Sequence, residues 1–198
     1  MIPGVRFRAS RRRQVGGIGF DQSIVVEGSA TTSVNITVPA AATVIVFVAG
    51  NVTNAARVDG AAMTLIGKTS NAAMYAAVGL AAGARNVQVD RSGSSAHIVN
   101  VVSYTNVSSV VGGATGSGSG TTQSGSPTGA GHLAVVGFDI SLSSSDVGSV
   151  TSNGNLRQVY RRTSGNSLAL ADRTETPVTI TNPTGGSYTT VAAWLVAA

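Results

Sequence analysis

The chain has 198 residues and a formal net charge of +5, and only 11% of its residues are charged, against about 25% in an ordinary domain. It contains no cysteine, which excludes disulfides, thiolate metal sites and cysteine nucleophiles. The length suits one domain, or one domain plus an arm. With a mean hydropathy of +0.24 and a single lysine (Lys68), the surface must be covered by Ser, Thr, Asn and Gly. Chains packed into assemblies or living outside cells have such surfaces.

The charge excess has a location. The segment "RFRASRRR" (6–13) holds five of the 13 basic residues, and the other eight match the eight acidic residues, all at Asp21 or later. A neutral body of 21–198 is thus joined to a cationic arm of 1–20. Three readings of the arm compete: neutralisation of nucleic-acid phosphates, Arg forks gripping carboxylates of a protein partner, and a solvated tail. Ile2, Val5, Phe7, Val15, Ile18 and Phe20 are interleaved with the arginines and suit pockets on a protein. Docking to protein therefore ranks ahead of nucleic acid, with Arg6, Phe7, Arg8, Arg11, Arg12 and Arg13 as the docking residues. The stretch after the arginines, "QVGGIGF", is too short and glycine-broken for a signal peptide. The most apolar run (42–50) is far below the roughly 20 residues of a spanning helix, so no membrane partner is expected.

Beyond the arm, apolar residues recur with period two. Val34, Ile36 and Val38 share one face of "VNITV"; Ala134, Val136, Phe138, Ile140 and Leu142 share one face of "AVVGFDISL"; "NVQVD" (86–90) and "PVTITN" (177–182) repeat the pattern. This predicts strands with one face on a core. "TVIVFV" (43–48) is apolar on both faces and predicts a doubly covered strand. Turn signals such as "VDGAA" (58–62) and "TSNGN" (151–155) separate the runs. About a dozen strands from Ser23 to Val196 predict an antiparallel β-sandwich, jelly-roll-like. The final run, 189–198, is expected to be tied into a sheet by Trp194. The low-complexity segment 112–131 reads as a long Gly/Ser surface loop.

Chemistry-bearing constellations are sparse. His97 and His132 have no ligand-spaced partner, so they read as ordinary strand or surface histidines, and no metal or cofactor is expected. "GSGSG" (116–120) matches a nucleophile-elbow pattern only trivially. Asp172 and Glu175, the nearest carboxylate pair, read as a solvated turn. "NIT" (35–37) and "NVT" (51–53) match glycosylation acceptors but carry little weight without a secretory signal. An enzyme is not expected.

Over residues 43–139 the order "TVIVFVAG", "VTNAARVDGAAMTLIG", "AAMYAAVGLAAGARNVQVD", "AHIVNVVSYTNVSSV", "GSGSG", "HLAVVGFDI" resembles a β-sandwich module of phage and bacterial surface proteins. Tyr75 to Gly83 fills the position of its hairpin without the usual prolines. Ser103 to Val107 fills its tyrosine strand, with Asn106 where Gly is usual. The start "IPGVRFRA" is similar to that of minor tail and decoration proteins of actinobacterial tailed phages. The resemblance implies a structural virion protein, a minor tail or capsid-surface (decoration) protein assembled in the host cytoplasm. It would be a homo-oligomer held by other virion proteins through its arm. The alternatives are a carbohydrate- or host-receptor-binding module, whose surface-glycan platform would draw on Tyr75, Tyr104, Tyr160, Tyr188 and Trp194, and a capsid protein with a nucleic-acid-binding arm.

Overall fold

The alternating segments fold as antiparallel strands. In the computed structural model, which describes residues 17–50, 55–91, 96–162 and 165–198, the first half of the chain forms β1 (Gly19–Gly28), β2 (Thr32–Val38), β3 (Ala42–Ala49), β4 (Ala55–Val58), β5 (Ala61–Ala62), β6 (Thr64–Lys68), β7 (Ala72–Leu80), β8 (Gly83–Asp90) and β9 (His97–Thr105). They make a large sheet of order β1-β9-β3-β7-β6 and a small one of order β2-β8-β4-β5. The second half forms β10 (Val107–Ser119), β11 (Thr122–Gly125), β12 (Leu133–Ile140), β13 (Thr151–Ser152), β14 (Asn155–Arg161), β15 (Ser167–Arg173), β16 (Val178–Thr181) and β17 (Ser187–Ala197). Its sheets are β10-β17-β12-β15-β14 and β11-β16-β13.

The two orders are the same once β5 is set aside. β1, β9, β3, β7 and β6 correspond to β10, β17, β12, β15 and β14, and β2, β8 and β4 to β11, β16 and β13. In each half the chain crosses repeatedly between its two sheets, in the winding of a jelly roll. The all-β, antiparallel, jelly-roll-like sandwich expected from the sequence is present, and it is present twice. Three cores separate four layers. Val34, Ile36, Val44, Val46 and Val87 fill the first sandwich. Val136, Phe138, Val178 and Ile180 fill the second. Ile45, Phe47, Met74, Val135, Leu170 and Leu195 fill the space between the large sheets. β3 is buried along its whole length, because cores lie on both of its faces. Each such side chain contributes about 1.5–3 kcal/mol.

The halves are related by a pseudo-twofold axis along the strands. β1, an edge of the first large sheet, lies beside β14, where Ser23 donates to Gln158 at 3.3 Å. β10, the counterpart of β1, lies beside β6, the counterpart of β14. There a Cβ on Gly113 would lie 2.1 Å from the Ile66 carbonyl oxygen. Such a swapped pairing is what a twofold operator produces. Counted from the first rungs Thr43–Tyr104 and Leu133–Leu195, Phe47 and Gly137 hold the same position, and they meet across the axis. A Cβ on Gly137 would lie 2.3 Å from the Phe47 ring.

A single residue joins the halves. Asn106 sits at φ 57°, between Thr105 and Val107, a left-handed conformation that favours Gly or Asn. This accounts for Asn in the glycine position of the tyrosine strand. Its side chain donates to the Gly17 carbonyl at 2.7 Å, and its carbonyl accepts from the Ala198 N–H at 3.1 Å. The start of the described chain, the link and the end of the chain thus share one pole.

Several sequence expectations are corrected. The segment 112–131 is not a long loop: β10 runs to Ser119 and β11 occupies Thr122–Gly125. Two of its glycines lie where neighbouring side chains cross the strand. Cβ atoms at Gly116 and Gly118 would lie 2.8 Å from Thr190 Oγ1 and from the Tyr188 phenol. Ile18 and Phe20, read as part of the arm, belong to the body: Ile18 is 2% exposed in the central core, and Phe20 meets Tyr104 edge-on at 5.7 Å. Tyr75 to Gly83 is no hairpin, since β7 and β8 lie in different sheets. The Asp-Gly turn holds, with Asp59 and Gly60 both at positive φ between β4 and β5.

Gly137→Ala is expected to lower stability by about 1–3 kcal/mol through overpacking, read as a lower urea midpoint. The double variant with Phe47→Leu is expected to recover part of that loss.

Candidate functional site

The cationic arm is the site that the sequence singles out. Arg6, Phe7, Arg8, Arg11, Arg12 and Arg13 lie outside the described residues. What the structure adds is where the arm leaves and what charge the body offers it. Gly17 is held by Asn106 at the pole that also carries the chain end. In the body, five of the eight acids are ion-paired: Asp90 with Arg57, Asp59 with Arg85, Asp172 with Arg157, Glu27 with Arg162 and Glu175 with Arg173. Asp21, Asp139 and Asp146 are hydrogen-bonded by neutral groups of Ser103, Asn166 and Thr184. The body therefore satisfies its own charges.

Near the arm's exit, a buried polar network locks the halves together. Asp172, fully buried on β15, accepts from the Tyr104 phenol at 2.9 Å. It also accepts from Arg157 Nε and Nη2 at 2.6 and 3.0 Å and from Asn155 at 2.9 Å. The Arg157 guanidinium stands 4.2 Å above the Phe20 ring. Burial, and then the Asp172 charge, raise the Tyr104 phenol well above its ordinary value. Asp172 is thus an internal clamp rather than part of a solvated turn, while Glu175 remains exposed at the surface.

The other residues of interest are mostly structural. His97 is buried, with Nε2 3.0 Å from Thr32 Oγ1 and Nδ1 3.3 Å from Arg91. His132 Nδ1 accepts from the Ala197 N–H at 3.1 Å. No group of three or more His, Asp or Glu side chains suited to a metal occurs among the described residues. Tyr75, Tyr104 and Trp194 are buried and give no aromatic platform, because period-two alternation turned them to the core. Tyr160 donates to Glu27 at 2.8 Å. Asn35 is exposed and accepts from Asn86 at 2.9 Å; Asn51 lies outside the described residues. No described helix is long and apolar enough to cross a membrane.

At the pole opposite Gly17, the ends of β12 and β17 border a cleft of about 200 Å³. Asn71, Asp139, Ile140, Ser141, Asn166, Ser187, Tyr188 and Thr189 line it. Asp139 is 4% exposed, and both its oxygens accept from Asn166 Nδ2 at 2.7 and 2.8 Å. Burial pushes its carboxyl up to about 6, against the pull of Asn166 and the Gly50 N–H. Sequence reading missed this cleft, since its members come from four separate strands or turns and match no motif.

Comparison with protein-family models, with curated proteins and with solved structures finds no match. The site must therefore be read from its own geometry.

Two outcomes are expected. Arg157→Met, which strands a buried carboxylate, is expected to cost about 3–5 kcal/mol in urea unfolding, with Arg157→Met/Asp172→Leu recovering most of it. For Asp139 the folded-state value lies above the unfolded 3.8, so the native state holds the proton more tightly. Its contribution is complete below about pH 4 and is lost as pH rises through about 6. Asp139→Asn is expected to remove this dependence, worth on the order of 2–3 kcal/mol. Paired urea titrations from pH 4 to 8 measure the difference.

Proposed function

We propose that the protein is a structural component of a tailed-phage virion, a minor tail or capsid-surface protein anchored through its basic arm. One observation carries the reading: the body closes its own charges into pairs and hydrogen bonds, and the excess cations lie in a segment that leaves from one pole. The five arginines of 6–13 exceed the charge that the eight acids can balance, and a carboxylate-bearing neighbour in the particle suits their planar forks. The rest of the molecule fits the role. Four closely packed layers, without a metal-ligating cluster among the described residues, make a rigid spacer that projects its far pole outward. Assembly into a homo-oligomer on the particle is part of the proposal.

The experiment is a complementation assay with particles assembled without the wild-type chain. Deletion of 1–13 is expected to leave a cooperatively unfolding body that no longer co-sediments with particles. Replacing the five arginines of 6–13 by Gln is expected to do the same. Normal incorporation of either variant would end the anchoring reading. Retention on duplex DNA with a log–log salt slope near about −4.5, the value for five phosphate contacts, would instead transfer the arm to nucleic acid.

A further inference from the structure

The cleft breaks the internal symmetry of the fold, and it does so in one chemical direction. Counted along the same rungs that equate Phe47 with Gly137, Asp139 stands where the first half has Ala49, and Thr189 stands where it has Ile98. Ala49 and Ile98 are fully buried members of the central core. The fold therefore needs no polar atom at either position, yet the second half places a carboxylate at one and a hydroxyl at the other, and both border the cleft.

Neither group is used up by the protein. A carboxylate offers about four lone-pair positions. Asn166 Nδ2 takes one on each oxygen of Asp139, and the Gly50 N–H, which also bonds the Asn71 carbonyl at 2.8 Å, faces a third. No cation pairs with Asp139 among the described residues, and Thr189 Oγ1 is buried with no hydrogen-bond partner. Around them stand Asn71, Asn166, Ser141 and Ser187; Tyr188 also borders the cleft, but its ring lies over Gly118 and packs against the core of the second sandwich. About 200 Å³ falls below the roughly 300–1,000 Å³ of pockets for drug-sized ligands. The space suits one ring, not a chain of them.

We propose that this cleft binds a terminal hexopyranose of a surface glycan. Asp139 and Thr189 accept from ring hydroxyls, and the Asn71 and Asn166 amides bond further hydroxyls. A neutral polyol fits this lining better than a metal ion does: a calcium site needs six to eight oxygens, usually several of them carboxylate, and Asp139 is the one carboxylate in the cleft. The cleft lies at the pole away from Gly17, where a particle protein anchored through its arm would meet a cell. The proposal stands whether or not the arm anchors the chain, because its test reads only the cleft.

The test is saturation-transfer NMR on the full chain with a panel of methyl glycosides of the common hexoses, followed by titration. At least one glycoside is expected to bind with a Kd on the order of 1 mM. Asp139→Asn is expected to weaken it about ten- to a hundredfold, the loss for a charge-assisted hydrogen bond. Asn71→Ala, at an exposed rim position, supplies a variant whose folding is not at stake and is expected to weaken binding too. The proposal is overturned if no glycoside of the panel binds. Binding that neither substitution weakens overturns it equally, as does Asp139-dependent binding of calcium alone with no sugar bound.

Discussion

The architecture depends on how two large sheets are brought face to face. Related by a twofold operator, the sheets place equivalent residues against each other near the axis. Two phenylalanines there would collide, and two glycines would leave a void. The chain meets this constraint asymmetrically, with the Phe47 ring over the bare backbone of Gly137. Close packing at native density tolerates neither a gap nor an extra methyl at such a point. Ile45, Met74, Val135, Leu170 and Leu195 then extend the contact into a continuous apolar layer. That layer is why β3 and β12 are buried on both faces.

Around this apolar layer, polar groups set register rather than supply bulk stability. The Tyr104–Asp172–Arg157–Asn155 network gives the Asp172 carboxylate four donors, and it ties β9 of the first half to β14 and β15 of the second. A buried ion pair is weak evidence for stability by itself, but an unmatched buried charge is costly in any alternative alignment. The same logic separates Asp172 from Asp139. The first is saturated by donors that include a cation; the second is held by an amide and a backbone N–H. One behaves as a fastener and the other as an open acceptor.

Much of the fold was legible in the residues. Alternation at Val34, Ile36 and Val38 marked β2, the run 43–48 marked a doubly covered strand, and Asp59-Gly60 marked a tight turn. Trp194 marked a strand bound on both sides, by β10 and β12. What stayed hidden was information held by partners. Gly113, Gly116 and Gly118 carry no side-chain period, and their reason for being glycine lies in Ile66, Thr190 and Tyr188, distant in sequence. The duplication was hidden for a related cause. Each half packs against the other, so equivalent positions became complementary instead of alike, as Phe47 and Gly137 are. The candidate cleft was illegible because Asp139 reads as the outward residue of an alternating strand, until a second layer covers that face.

Asn106 has a practical consequence. Because Gly17 and Ala198 are both tied to it, a tag or cargo fused behind Ala198 would emerge at the root of the arm. Payloads meant for display belong instead in the Gly28–Thr32 connection, whose residues 29–31 are exposed at the opposite tip of β1.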